Sequence, residues 1–197
     1  MIDIIIKNLP ILVVLTPLMM SLIVVLISNN FLSWLLTLFT TLITFIFSLL
    51  LYQEVYLHTA ISYALGNWVP PLGIEYLIDK VSIIPIIIIA LISFLATFFA
   101  SKIMPAEINN SSISKVYSLW LLAIAGLIGL VTTGDAFNLF VFLEISSLAS
   151  VALVAMGAEK DKQALVAAYN YLILGAIGAT FYVIGVGLLY GITGTLN

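Results

Sequence analysis

The sequence predicts an all-α, polytopic membrane protein with six transmembrane helices. Three observations predict it. Of its 197 residues, 63% are apolar and only 8% are charged, whereas a soluble domain carries about a quarter charged residues. The mean hydropathy is +1.29. The apolar residues also run in continuous charge-free stretches of the ~20 residues a helix needs to cross a bilayer. They do not alternate in segments of about ten residues, as a membrane β-barrel would require.

The spans follow in order along the chain. The first covers residues 8–28 and carries Pro10 and Pro17; the second covers 31–53. The first has too long an apolar core for a cleaved signal peptide and no small-residue cleavage site after it, so it reads as a retained anchor. A loop at 54–80 follows, with Gly66-Asn67 and Pro70-Pro71 at its centre and Tyr and Ile on its flanks. That pattern suits a β-hairpin or a compact loop. The third span covers 81–101 and contains Pro85; a polar segment with Lys102, Glu107 and Lys115 separates it from the fourth, 116–133. A tight turn at Thr133-Gly134-Asp135 opens the fifth, 135–157, and Glu159-Lys160-Asp161-Lys162 precedes the sixth, 164–190. Pro10, Pro17 and Pro85 are expected to bend their helices. Trp34, Trp68 and Trp120 are expected at the membrane interface.

Lysine placement sets the orientation. Four lysines (Lys102, Lys115, Lys160 and Lys162) lie on one side, against Lys7 and Lys80 on the other. The positive-inside rule then puts both termini outside a prokaryotic plasma membrane. The formal charge is −3, Arg is absent and Cys is absent. These features exclude a basic nucleic-acid surface and any thiolate metal or iron–sulfur site. A single His cannot build a haem or multi-His site, so no cofactor is expected.

One ionisable residue lies deep in a span. Glu144 is nine residues past Asp135, so about 13 Å along the helix, near the middle of a hydrocarbon core about 30 Å thick. Placing an acid there costs roughly 2.5–3.5 kcal/mol, and intramembrane acids usually line a bundle interior or a watered cavity. Low dielectric favours the neutral form of a carboxyl, and a group so poised can relay a proton. The plainer alternative is a protonated Glu hydrogen-bonded in a helix seam. Ser147 follows one turn later. By depth, Ala123, Ala125 and Gly126 on the fourth helix and Gly175 and Gly178 on the sixth lie at its level. Small residues there serve either close helix approach or room for water.

The other polar residues admit two readings each. Thr37, Thr41, Thr44 and Ser48 recur at helical spacing, which suits a packing seam. Asp135 with Asn138 fits a helix N-cap, or the mouth of an ion path. Asn170 and Tyr171 either continue a polar route from Glu144 or make structural hydrogen bonds. His58 reads as a surface or interface residue.

The run Thr133-Gly134-Asp135-Ala136-Phe137-Asn138 through Leu143-Glu144-Ile145-Ser146-Ser147 resembles the fifth-helix signature of the antiporter-like membrane subunits. These occur in Mrp-type cation/proton antiporters, membrane-bound hydrogenases and respiratory complex I, and the MrpD-like branch is the nearest in appearance. The loop Gly66–Ile74 with Asp79-Lys80, and the segments Tyr169–Gly175 and Tyr190–Gly194, are similar to the family's external loop and sixth helix. The resemblance implies that Glu144 is the proton-carrying glutamate. It also implies a fold of about fourteen helices with inverted five-helix repeats, in which a broken helix carries a lysine partner.

On that basis residues 1–114 form three N-terminal helices with the external loop, and 115–197 the first three helices of an incomplete repeat. No Lys lies within a span. The chain therefore reads as a truncated or split half, or as one completed by another subunit that supplies the lysine. The implied function is proton translocation, with Na⁺ as a candidate counter-ion, inside a multisubunit assembly embedded in the lipid bilayer. With no redox ligand of its own, the chain would at most be one subunit of a redox-driven pump. The alternative is a non-transporting structural subunit that supports assembly of such a complex. No Ser/His pair or nucleophile constellation in a span supports an intramembrane enzyme.

Overall fold

The computed structural model describes residues 6–197, apart from the side chains of His58 and Glu159. The six expected helices are present: α1 Leu9–Val24, α2 Asn30–His58, α3 Ile83–Glu107, α4 Ile113–Thr132, α5 Ala136–Met156 and α6 Gln163–Thr193. Five are long and apolar enough to cross a membrane; α1, at 16 residues, is shorter.

The first span ends earlier than expected because the next helix needs its tail. Asn29 caps α2, its side chain accepting from the N–H groups of Phe31 and Leu32. The chain must reverse before that cap, so Val25–Ile27 leave the helix in tight turns bonded to Ser21, Ile23 and Val24. Helix α3 runs past Lys102 to Glu107, because a lysine near a helix end can carry its charge out to the headgroups. Two prolines start helices rather than bend them. Pro10 and Pro85 both fall in first turns, where the missing N–H would have had no intrahelical partner. Only Pro17 lies inside α1.

Between α2 and α3 the loop forms an antiparallel hairpin, β1 Ala60–Ala64 and β2 Glu75–Asp79, with Tyr63 opposite Tyr76 and Ile61 opposite Ile78. Tyr76 and Ile78 face inward, at 4% and 0% exposed, while Leu77 between them is exposed. Gly66 and Asn67 take the left-handed conformation at the tip (φ 64° and 62°), which Gly and Asn adopt most readily. At the far end Asp79 accepts from the N–H groups of Val81 and Ser82, at 3.0 and 2.8 Å, and closes the turn into α3.

Helix α4 is the hub, packing on α1, α2, α3 and α5, while α6 packs on α5. Lipid offers no hydrophobic drive between helices, so close packing and hydrogen bonds must hold them. Both are visible. Thr37, Thr41, Thr44 and Ser48 are at most 1% exposed, and each hydroxyl bonds a carbonyl of its own helix. They form the seam expected of them. Trp34 and Trp120, expected at the interface, turn their indoles inward onto one residue of α3. Trp34 Nε1 donates to the Thr97 carbonyl at 2.9 Å and Trp120 Nε1 to Thr97 Oγ1 at 3.0 Å. Trp68 is 66% exposed on the hairpin.

Candidate functional site

Helix α5 begins at a side-chain cap. Asp135 is extended, and its Oδ1 accepts from the Asn138 N–H at 2.6 Å. Asn138 turns back in the same corner, Nδ2 donating to Thr133 Oγ1 at 2.9 Å. Both residues thus take the capping role. Asp135 also lines a cleft of about 390 Å³ between the start of α5 and the end of α6, together with Tyr182, Thr193 and Asn197. Tyr182 closes it from α6, its hydroxyl donating to the Ala136 carbonyl at 3.0 Å.

The hairpin holds this corner from outside. Gly134 N–H donates to the Glu75 carbonyl at 2.8 Å, and Tyr76 pairs with Thr133 as an isolated bridge. The Glu75 carboxylate accepts from Ser62 Oγ and, at 3.0 Å, from Asn197 Nδ2. The Tyr76 ring lies 6.3 Å from the Phe142 ring, centre to centre. Burial pushes the Tyr76 phenol up to about 12. The tyrosines flanking the loop were visible in the sequence, but nothing there showed that the hairpin would dock on the α4–α5 turn. Glu75, Tyr76, Phe142 and Tyr182 were not singled out for that reason.

Glu144 is half-buried. Helix α5 buries Asn138, Phe142, Ser146 and Ala149, and α4 meets two of these at glycines. A Cβ on Gly126 would stand 2.6 Å from Ser146 N, and one on Gly129 would collide with the Phe142 ring. The small residues of α4 therefore serve close approach and leave no room for water at those points. At about 100° per residue, Glu144 points some 200° away from Phe142. Its neighbours along that stripe, Phe137, Val141 and Leu148, are 48%, 37% and 50% exposed. Glu144 thus lies on the face of α5 turned away from α4, at the border between α6 and an uncovered apolar surface. Among the described residues no hydrogen bond or ion pair reaches its carboxyl.

Ser147 faces α6. A Cβ on Gly175 would stand 3.1 Å from Ser147 Oγ, whereas Gly178 has nothing within 4 Å. Asn170 and Tyr171 are exposed on α6 and are not drawn together with Glu144 into a polar cluster. Among the described residues no group of three or more His, Cys, Asp or Glu could hold a metal.

Fold and site together define a multi-pass membrane subunit with one carboxyl in the middle of a span. The chain is similar along nearly its whole length to the first part of antiporter-like membrane subunits, and its residues 133–197 match the NADH:quinone oxidoreductase/Mrp antiporter transmembrane family. It is 44% identical over 135 residues to NADH-quinone oxidoreductase subunit N of Desulforudis audaxviator, which covers 68% of this chain and 26% of that protein. It is 36% identical over 192 residues to a Staphylococcus aureus protein named as antiporter subunit mnhD2, covering 97% of this chain and 38% of that protein. A subunit of the membrane-bound sulfane sulfur reductase, an archaeal respiratory membrane complex, superposes with a TM-score of 0.88 at 34% identity, covering 96% of this chain and 38% of that one. The chain thus spans well under half the length of these proteins.

Proposed function

We propose that this chain forms the proton-carrying part of a cation/proton-translocating subunit in a multisubunit membrane assembly of Mrp, hydrogenase or complex I type. The observation that carries the reading is the Glu144 carboxyl, about 13 Å inside α5 and without a partner in the described chain. An acid at that depth is costly enough to need a function or a partner.

Residues 115–197 act as half of a translocating repeat, and residues 1–114 support it and cap its outer end. A lysine from a segment outside these residues meets Glu144 across the uncovered face of α5. A cation at that distance favours the carboxylate and drives release of the proton; withdrawing it favours uptake. The cleft at Asp135, with Asn138 beneath it, supplies the outer mouth. Ser147 continues the path past Glu144, and Asn170 and Tyr171 serve its inner end once the open face is covered. Protons, with Na⁺ as the exchanged cation in an Mrp setting, are the substrates. The chain sits in the plasma membrane with its N-terminus outside.

The test is Glu144→Gln in the complete assembly, assayed by dye-reported proton movement in inverted membrane vesicles. Transport is lost while the subunit still assembles. Unchanged transport refutes the role. The exposure of Asn170 and Tyr171 favours one second reading, a structural subunit that supports assembly without transport. In that case Glu144→Ala is silent and only deletion of the chain matters.

A further inference from the structure

The helices bond their hydroxyls to backbone carbonyls, with one exception. Beyond the first turn of each helix, the other serines and threonines of the described residues donate to a carbonyl, nearly always three or four residues back. Hydrocarbon offers a hydroxyl nothing else, so it turns back on its own helix. Ser147 does not. Its hydroxyl has no partner among the described residues, although Ser146 and Ser150 on the same helix donate to the Leu143 and Ser146 carbonyls at 3.0 and 2.7 Å.

The carbonyl four residues before Ser147 is that of Leu143. It already accepts the helical N–H and the Ser146 hydroxyl, which uses both of its lone pairs. The Ser147 hydroxyl turns instead toward α6, and Gly175 makes room for it there. A Cβ at 175 would stand 3.1 Å from Ser147 Oγ, with nothing else within 4 Å. Ser147 is half-buried, as Glu144 is, and residues three apart on a helix are neighbours, about 5–6 Å between Cβ atoms. Among the described residues, the two unbonded polar side chains of α5 are therefore adjacent. The helices packed on α5 offer the carboxyl no stronger partner at that depth. Helix α6 carries no charged side chain, its titratable groups being Tyr169, Tyr171, Tyr182 and Tyr190, and α4 carries only Lys115 and Tyr117 near its start.

We propose that the Ser147 hydroxyl donates to the Glu144 carboxylate, and that Gly175 is the positioning residue that keeps the required rotamer open. This role rests on Glu144 being the proton carrier. When the proton leaves, the carboxylate accepts more strongly than the acid did, and Ser147 holds it, keeping its own proton, until the next proton arrives. A side chain at 175 closes that rotamer, and the hydroxyl falls back on a carbonyl of its own helix as the other serines do.

The test is infrared difference spectroscopy of the complete assembly, alkaline against acidic pH, in which the carboxylate band missing from Glu144→Gln belongs to Glu144. Ser147→Ala moves that band and slows proton movement in inverted vesicles about tenfold, the effect of one lost bond to a charged group. Gly175→Ala moves the band in the same direction. Ser147→Ala with Gly175→Ala moves it no further than Ser147→Ala alone; this pair also removes the only atom the new methyl would crowd, so misfolding does not obscure the result. Ser150→Ala and Gly178→Ala leave the band in place. A band unmoved by Ser147→Ala overturns the proposal. A shift that Gly175→Ala fails to reproduce, or that grows in the double variant, overturns the role of Gly175. Full transport in Glu144→Gln overturns the proton-carrier reading instead, and the band is read whether or not transport occurs, so the two failures are told apart.

Discussion

Gly126→Ala tests how α5 is set against α4. The new Cβ would stand 2.6 Å from Ser146 N, 2.8 Å from its Cβ and 2.9 Å from its Cα. Two of these atoms are backbone, so no rotamer change relieves the contact. Ordinary contact begins near 3.4 Å, and the helices must part by about 0.8 Å. Overpacking of this kind costs about 1–3 kcal/mol. The helical preference of Ala over Gly does not offset it, because the helices persist when they separate in the membrane. Gly178→Ala is the control, having nothing within 4 Å of the added methyl, and changes stability by no more than about 0.5 kcal/mol. The assay is unfolding in mixed micelles with rising SDS, followed by tryptophan emission. A second comparison separates backbone from side chain. The three atoms nearest a Gly129 Cβ are all on the Phe142 ring, so Gly129→Ala should cost less in a Phe142→Ala background than in the unaltered chain. Equal stabilities for Gly126→Ala and Gly178→Ala would refute the close α4–α5 seam.

Two further outcomes follow from the bonding. The carboxyl of Asp79 is held below the usual carboxylate range, first by the Ser82 N–H, then by the Ser82 hydroxyl and the Val81 N–H. Its folded value is therefore depressed. The stabilisation of the hairpin–α3 junction is present above the unfolded value of about 3.9 and is lost as pH falls through the lower folded one. Amide exchange at Val81 and Ser82 should accelerate in acid relative to the helix interiors, and Asp79→Asn should remove that pH dependence. Thr97→Val leaves the Trp120 indole N–H without its acceptor while the Trp34 bond to the Thr97 carbonyl remains. It should cost about 1–3 kcal/mol in the same SDS titration, whereas Ser101→Ala, at an exposed hydroxyl bond to Phe98, should cost little.

Much of the fold was legible because a bilayer reduces it to one dimension. Span length, charge placement and turn residues fix how many helices there are and where each reverses. What escaped was set by particular hydrogen-bond partners, some local and some distant. The tail of the first apolar run reads as helix until the Asn29 cap claims the space for a turn. Trp34 and Trp120 read as interface anchors, and nothing in the sequence pairs both indoles with Thr97 inside the bundle. Composition cannot show these contacts: the turn depends on which residue caps α2, and the two indole bonds each depend on a partner more than twenty residues away.

The same distinction governs the site. The depth of Glu144 follows from counting residues after the Asp135 cap, and the structure keeps that cap. Its direction does not follow from counting. Gly126, level with it on α4, reads equally as a point of close approach or as room for water beside the carboxyl, yet the space at Gly126 and at Gly129 one turn on is filled by Ser146 and Phe142. Packing that face on α4 rotates Glu144 to the opposite side, among exposed Phe137, Val141 and Leu148. The tight seam and the open carboxyl are therefore one arrangement. Any change that unlocks Gly126 or Gly129 must also turn the acid, so variants at these glycines should alter the pH profile of proton movement as well as stability. Measured in the complete assembly, an unchanged profile in a destabilised Gly129→Ala chain would show that the azimuth of α5 and the environment of Glu144 are independent.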